Sequence, residues 1–182
     1  GCGFAALCSS AKICVRLNLA IEKRKEKKTM KEKGLYEPSD YFQIGVVVKS
    51  IEETVKHLQE IIGISGPIEY RDVNYTNATY YGETAGYRGK RAFFNVGPVA
   101  FELIELVDGK TIHEDFLKEK GEGLHHLGFE VKNLKESIQD AEKRGLKVTQ
   151  SFFREDGSGF AYVDSDKVGG IIFELIRRPK KS

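Results

Sequence analysis

The sequence predicts an α+β fold: two tandem βαβββ modules whose mixed sheets curl around a shared cleft. Two internal echoes predict it. Leu127-Gly-Phe-Glu-Val-Lys-Asn-Leu134 aligns with Ile44-Gly-Val-Val-Val-Lys-Ser-Ile51, with Gly, Val and Lys coincident and the apolar positions kept. Phe101-Glu-Leu-Ile104 recurs unchanged as Phe173-Glu-Leu-Ile176, in the same order along the chain. Two matching signals in one order indicate an internal duplication. Both copies then read as strand, helix and three strands.

In the first module, Tyr41–Val48 is a β-branched run with strand character. Ser50 with Glu53 forms a capping box, Ile51, Val55, Leu58 and Ile62 recur at helical spacing, and Gly63 stops the helix. Glu69 to Gly89, rich in Tyr, Asn and Gly, predicts a strand and a long loop. Arg91–Val96 and Val99–Leu106 are strands joined at Gly97-Pro98. Lys110 to Lys120 connects the copies as a short amphipathic helix around Ile112, Phe116 and Leu117. In the second copy Leu124–Val131 is a strand, and Asn133 with Glu136 repeats the cap. Leu134, Ile138 and Ala141 form the inner helical face, Gly145 ends the helix, and three strands follow at 148–153, 159–163 and 170–176. The organisation is therefore an N-terminal extension at 1–37, modules at 38–109 and 124–178, and a connector at 110–123.

Composition bounds the rest. A chain of 182 residues suits one ordinary domain or two small units sharing a core. A net charge of +2 without an aromatic-interleaved basic stripe argues against nucleic acid. No apolar run nears the roughly 20 residues that span a bilayer, so a cytoplasmic protein is expected. Cys2, Cys8 and Cys14 are odd in number and lie outside the duplication, so they are no disulfide framework. A zinc knuckle there would lack a fourth ligand at a recognisable spacing. The charge run Glu22–Lys28 follows the apolar Phe4–Cys8 patch, the reverse of a secretory signal. Met30 is the only methionine and reads as the natural start, which makes residues up to Thr29 an added extension. The rival reading is a helical arm whose apolar face, over 13–21, packs on a partner subunit.

Strand parity selects the candidate site. Side chains alternate faces, so Leu127, Phe129 and Val131 share the helix-covered face while His126 and Gly128 share the other. By the same parity Gln43 and Gly45 oppose Ile44, Val46 and Val48, Glu102 opposes Phe101 and Leu103, and Glu174 opposes Phe173 and Leu175. The glycines leave room beside Gln43 and His126. The offset 126 − 43 = 83 exceeds 174 − 102 = 72, so the first module carries eleven extra residues, assigned to the Tyr75–Gly89 loop. If the cleft faces converge, Gln43, Glu102, His126 and Glu174 make a three-oxygen, one-nitrogen cluster. Buried carboxylates need compensation, and a divalent cation with open positions supplies it. His125 is expected on the helix-covered layer or a subunit contact, because adjacent strand residues face apart. His57 and His113 are expected at the surface, Glu105, Glu122 and Glu130 in solvent, and Arg88, Lys90 and Arg91 on a charged solvent face, the alternative being contact with a phosphate or carboxylate of a thioester or peptide cofactor. The tyrosines at 75, 80, 81 and 87 either line the pocket or pack on one another.

Over roughly residues 38–178 the chain resembles the vicinal-oxygen-chelate superfamily of glyoxalase I, methylmalonyl-CoA epimerase, extradiol dioxygenases and bleomycin-resistance proteins. Gly-Leu-His-His-Leu-Gly-Phe-Glu-Val at 123–131 and Gly-Gly-Ile-Ile-Phe-Glu-Leu-Ile at 169–176 carry the resemblance. It implies paired βαβββ modules with a metal at the cleft, and places the family's ligands on Gln43, Glu102, His126 and Glu174. Glutamine first and glutamate second resembles the zinc-type glyoxalase I set. The phrase around His125-His126 resembles the epimerase-like branch, which more often has histidine where Gln43 stands. The implied function is a metal-dependent isomerase, epimerase or lyase moving a proton beside a carbonyl through a metal-chelated enediolate, with Zn, Co, Ni or Mn as the ion. Glu174 is the expected base, with Glu102 as alternative or opposing acid. The implied substrates are a coenzyme A thioester, a glutathione adduct or a 2-oxo acid, and a homodimer is implied. Two other readings stand beside it: a non-catalytic small-molecule binding or resistance protein, and an extradiol dioxygenase, whose two-histidine, one-carboxylate iron site Gln43 does not match.

Overall fold

The computed structural model describes residues 18, 19, 21–23, 34–36, 40–164 and 168–179. The chain divides into two units, Gly1–Tyr36 and Glu37–Ser182. The three cysteines and most of the predicted extension and arm lie outside the described residues.

In the second unit the described residues form β1 (Tyr41–Val48), α1 (Ile51–Ile62), β2 (Glu69–Tyr80), β3 (Glu83–Val96), β4 (Val99–Gly109), α2 (Ile112–Glu119), β5 (Gly123–Glu130), α3 (Leu134–Lys143), β6 (Lys147–Phe153), β7 (Gly159–Asp164) and β8 (Ile172–Arg177). None of the described helices is long and apolar enough to cross a membrane. The expected α+β class and the doubled βαβββ order are both present.

The eight strands close into a barrel in the order β1-β4-β3-β2-β6-β7-β8-β5. In the first module β1 runs parallel to β4, and β3 and β2 follow antiparallel. The second repeats this, with β5 parallel to β8 and then β7 and β6. Two antiparallel seams join the modules, β1 with β5 and β2 with β6.

Local sequence explains each helix. The Ser50 hydroxyl accepts the Glu53 amide at 3.2 Å, and Glu105 Oε2 accepts the Ile51 amide at 2.8 Å. A strand carboxylate therefore sits on the positive end of α1 and ties the helix to β4. Glu105 is half-buried by this role and by Lys90 at 2.8 Å, not simply solvated as expected. Ile51 and Val55 pack with Val48, Ala92, Phe94 and Leu103 in a core outside the barrel; full burial of such a side chain is worth about 1.5–3 kcal/mol. Ile62, last in α1, has run past that cover and is 52% exposed. Asn133 caps α3, whose Leu134 and Ala141 are fully buried. Glu122 and Glu130 are exposed as expected, the first accepting the Lys49 amide and the second facing Arg178.

The predicted long loop is instead a hairpin. β2 and β3 run 12 and 14 residues, against 7 and 6 for β6 and β7, and turn at Tyr81-Gly82. Both turn residues have positive φ, 48° and 86°, the geometry that matches strand twist in a two-residue connection. The extra residues of the first module thus extend paired backbone.

Candidate metal centre

Four strands deliver four polar side chains to one point inside the barrel. Gln43 comes from β1, Glu102 from β4, His126 from β5 and Glu174 from β8, with exposures of 6, 7, 0 and 3%. Two glycines make the room. Gly45 pairs with Glu102 on one side and His126 on the other, and Gly128 pairs with Glu174 and Gln43. A Cβ on Gly45 would overlap the His126 ring, and one on Gly128 would stand 2.6 Å from Gln43 Cγ. The duplication therefore builds the site from two matching halves, each module supplying one first-strand residue and one glutamate.

Gln43 Nε2 donates to Glu102 Oε2 at 2.7 Å and to Glu174 Oε2 at 3.0 Å. His126 Nε2 lies 3.6 Å from Glu102 Oε2 and 3.3 Å from Glu174 Oε2, with no aligned hydrogen bond. Burial disfavours a charged imidazole, but the Glu174 and Glu102 carboxylates outweigh it and push His126 up to about 9. Burial would likewise raise Glu102, yet His126, Arg91 and Gln43 together hold it below the ordinary carboxylate value.

The residues fit a divalent ion. One atom each from Glu102, His126 and Glu174 lie within 4.8 Å of one another. His126 Nε2 is fully buried and has no hydrogen-bond partner, and it faces the two carboxylates as a ligand nitrogen would. A half-turn of the Gln43 amide would bring Oε1 in place of Nε2 and complete a three-oxygen, one-nitrogen set.

Arg91, expected on a solvent face, is buried. Its Nε meets Glu102 Oε1 at 3.2 Å, and one terminal nitrogen donates to the Lys90 carbonyl at 3.0 Å. The register with β4 places it there: β3 pairs Arg91 with Ile104 and Phe93 with Glu102, so Arg91 shares the interior face of the sheet. Arg88 and Lys90, on the opposite parity, are exposed and pair with Asp108 and Glu105.

His113, expected at the surface, is only 1% exposed, because Thr111 caps α2 and turns Ile112 and His113 into the barrel. His57 is exposed as expected. His125, expected on the layer covered by the helix of its own module and facing away from His126, packs instead against Phe116 of α2, His113 and Tyr162. The β5 register shifts there, and the two Nδ1 atoms lie 3.1 Å apart. Burial holds both His113 and His125 well below the usual imidazole value.

The cluster opens into a cavity of about 1130 Å³. Tyr75, Tyr87, Phe160 and Tyr162 form an aromatic wall, and Arg71, Arg154, Arg177 and Arg178 also line it. Tyr80 instead donates to Asp115, and Tyr81 sits exposed at the turn.

Comparison with known proteins follows this geometry. Residues 42–162 match the model of the glyoxalase/bleomycin resistance protein/dioxygenase superfamily. The chain is 27% identical over 138 residues to the uncharacterized protein YqjC of Bacillus subtilis (strain 168), covering 72% of this chain and 87% of that one. A hypothetical protein of Bacillus halodurans C-125 superposes with a TM-score of 0.55 at 19% identity, covering 78% of this chain and 96% of its own. Methylmalonyl-CoA epimerase from Mycobacterium tuberculosis gives 0.55 at 16% identity, covering 78% and 89%. A Streptomyces coelicolor methylmalonyl-CoA epimerase variant in complex with 2-nitronate-propionyl-CoA gives 0.54 at 19%, covering 78% and 98%. At these identities the solved structures speak for the fold.

Proposed function

We propose that this chain, which belongs to the glyoxalase/bleomycin resistance protein/dioxygenase superfamily, is a metal-dependent isomerase, epimerase or lyase that moves a proton at a carbon beside a carbonyl. The observation carrying this reading is the convergence of Gln43, Glu102, His126 and Glu174, the first, second and fourth at the wall of one large cavity. These four would hold the ion, taken as Zn, Co, Ni or Mn. When bound, a divalent ion supplies Lewis acidity to a substrate carbonyl oxygen and makes the neighbouring C–H more acidic.

The chain's own groups divide the remaining work. Glu102 is anchored by Arg91 and Gln43, so its charge is committed to the structure. Among the described residues Glu174 has no arginine partner, and it lines the cavity, which makes it the base that takes and returns the proton. The aromatic wall limits water around the reacting carbon. The arginines lining the cavity suit an anionic substrate. Two of the fold neighbours are methylmalonyl-CoA epimerases, one with a coenzyme A compound bound. A coenzyme A thioester therefore heads the candidates, with a glutathione adduct and a 2-oxo acid behind it. A homodimer resident in the cytoplasm is part of the same proposal, and light scattering on the purified protein tests the assembly.

The deciding experiment is deuterium uptake from heavy water into these three substrate types, with and without Co²⁺, Zn²⁺, Ni²⁺ or Mn²⁺. Metal-dependent uptake into one of them supports the reading; no uptake from any, by a metal-loaded protein, ends it. A second reading, a non-catalytic binder, is favoured by one observation. Arg91 and a protonated His126 already balance the two carboxylates without an ion. A protein that purifies metal-free, binds no added divalent ion and still binds an apolar anion would fit that reading.

A further inference from the structure

We propose that His125 is a positioning residue for the centre, its Nδ1 accepting the Nδ1–H of His126 and so keeping the His126 Nε2 lone pair on the two carboxylates. The proposal rests on the reading of His126 as a metal ligand. Its geometry begins with the strand. Across the β1–β5 seam Gly45 pairs with His126 and Val46 pairs with Leu124, which leaves His125 as the extra residue of a bulge. A regular strand would separate the two rings onto opposite faces. The bulge instead brings their Nδ1 atoms to 3.1 Å, a hydrogen-bond distance.

Only one hydrogen can lie between two such nitrogens. A His126 that offers its Nε2 lone pair to an ion carries its hydrogen on Nδ1, so His125 is the acceptor and keeps its own hydrogen on Nε2.

A second line of hydrogen bonds ends at His113, whose ring packs against His125 from the other side. Gln150 Oε1 accepts the Ile112 amide at 2.9 Å, which fixes the amide orientation, and it also accepts the Thr111 hydroxyl at 2.9 Å. Thr111 has then given its one hydrogen, so its oxygen accepts from His113 Nδ1 at 3.0 Å. His113 is left with a lone pair on Nε2, and its ring centroid lies 4.7 Å from that of His125. No hydrogen bond joins the two lines: His113 Nε2 and His125 Nε2 are both buried without a hydrogen-bond partner among the described residues, and only the ring contact connects them. Thr111, His113, His125 and Gln150 are all 2% exposed or less, so water does not compete for these bonds. Metal-bound imidazoles ordinarily give their second N–H to a carboxylate, a carbonyl or water. Here the acceptor is a second imidazole, itself packed in a row of ordered protons.

The test uses the full-length protein, its His125→Asn and His125→Leu variants, and Co²⁺ and Zn²⁺ as probes. The Asn side-chain oxygen reaches nearly the place of the imidazole Nδ1 and can accept; Leu cannot. Calorimetric titration should show Co²⁺ binding weakened about ten- to hundredfold in His125→Leu and within about threefold of wild type in His125→Asn. In the Zn²⁺-loaded wild type, ¹⁵N-edited imidazole spectra should show His125 protonated on Nε2 and bare at Nδ1. That spectrum decides the matter even where His125→Leu melts before it can be titrated. Three results would overturn the proposal: a folded His125→Leu that binds Co²⁺ like wild type, a His125 protonated on Nδ1, or two ions per wild-type chain, which would make His113, His125 and His126 a second metal site. A wild type that binds neither ion sinks the metal-centre reading itself, an outcome distinct from failure of the His125 role alone.

Discussion

Gly45 and His126 are partners across the β1–β5 seam, and the His126 ring occupies the space that any side chain on Gly45 would need. One methyl group there must displace an imidazole that is 0% exposed and closely packed. Gly45→Ala should therefore weaken divalent-ion binding at least about tenfold while costing about 1–3 kcal/mol of stability. Calorimetric titration with Co²⁺, alongside thermal melting, checks both. Unchanged affinity would mean that the ring does not need its present position.

The two glutamates should separate in function. Glu174→Gln keeps the shape of the side chain but cannot take a proton. It should lower the exchange rate by about 10²–10⁴-fold, the usual worth of a positioned base. Glu102→Gln removes an anchored ligand and should act mainly through metal occupancy, with activity partly restored by excess metal. Steady-state exchange rates over a metal titration distinguish them. Equal losses, equally restored by metal, would remove the special role given to Glu174.

Arg91 and Glu102 form a buried ion pair at 3.2 Å. Removing one member of such a pair leaves an uncompensated charge and typically costs about 3–5 kcal/mol. Arg91→Met should show a loss of that order in denaturant unfolding, and Arg91→Met combined with Glu102→Gln should lose clearly less than the sum of the two single changes. Additive losses would show that the pair is not coupled.

Acid and alkali should destabilise the metal-free protein by different residues. The folded His126 value of about 9 lies above its reference of 6.5, so its contribution is full below 6.5 and is lost as pH rises through 9. A shift of that size corresponds to roughly 3 kcal/mol at most. Glu102 is lowered from 4.5, so its contribution is present above 4.5 and is lost as pH falls through its folded value. Melting temperatures of chelator-treated protein between pH 2 and pH 10 should fall on both sides, the acid fall lying below pH 4.5. The alkaline fall should be smaller in His126→Asn. An identical alkaline slope in that variant would refute the assignment.

What the sequence made legible was whatever obeyed a simple period. Gln43, Glu102, His126 and Glu174 emerge from alternation along regular strands, and the two echoes put them in register. Three features broke that logic. Arg91 lies in Arg88–Arg91, a basic run that looks solvated; pairing with β4, which sets Phe93 opposite Glu102 and Arg91 opposite Ile104, carries one of its members indoors. His125 breaks parity because of a bulge, which depends on how β1 and β5 pair rather than on either strand alone. His113 looked polar and short-range, yet Gln150, distant in sequence, accepts from Thr111 and from the Ile112 amide and turns the start of α2 inward. Long-range pairing decided each of these, and residue order alone does not display it.

The two seams have a further consequence for how the halves depend on each other. Gln43 and Glu102 belong to the first copy and His126 and Glu174 to the second, so an ion held by all four would act as a rivet across the duplication. Fragments severed within 110–123 and mixed should reassociate more tightly in its presence. Protease resistance of the intact chain should rise with free metal concentration by mass action. An ancestral single copy would have had only half a grip on the ion, unless a twin supplied the rest.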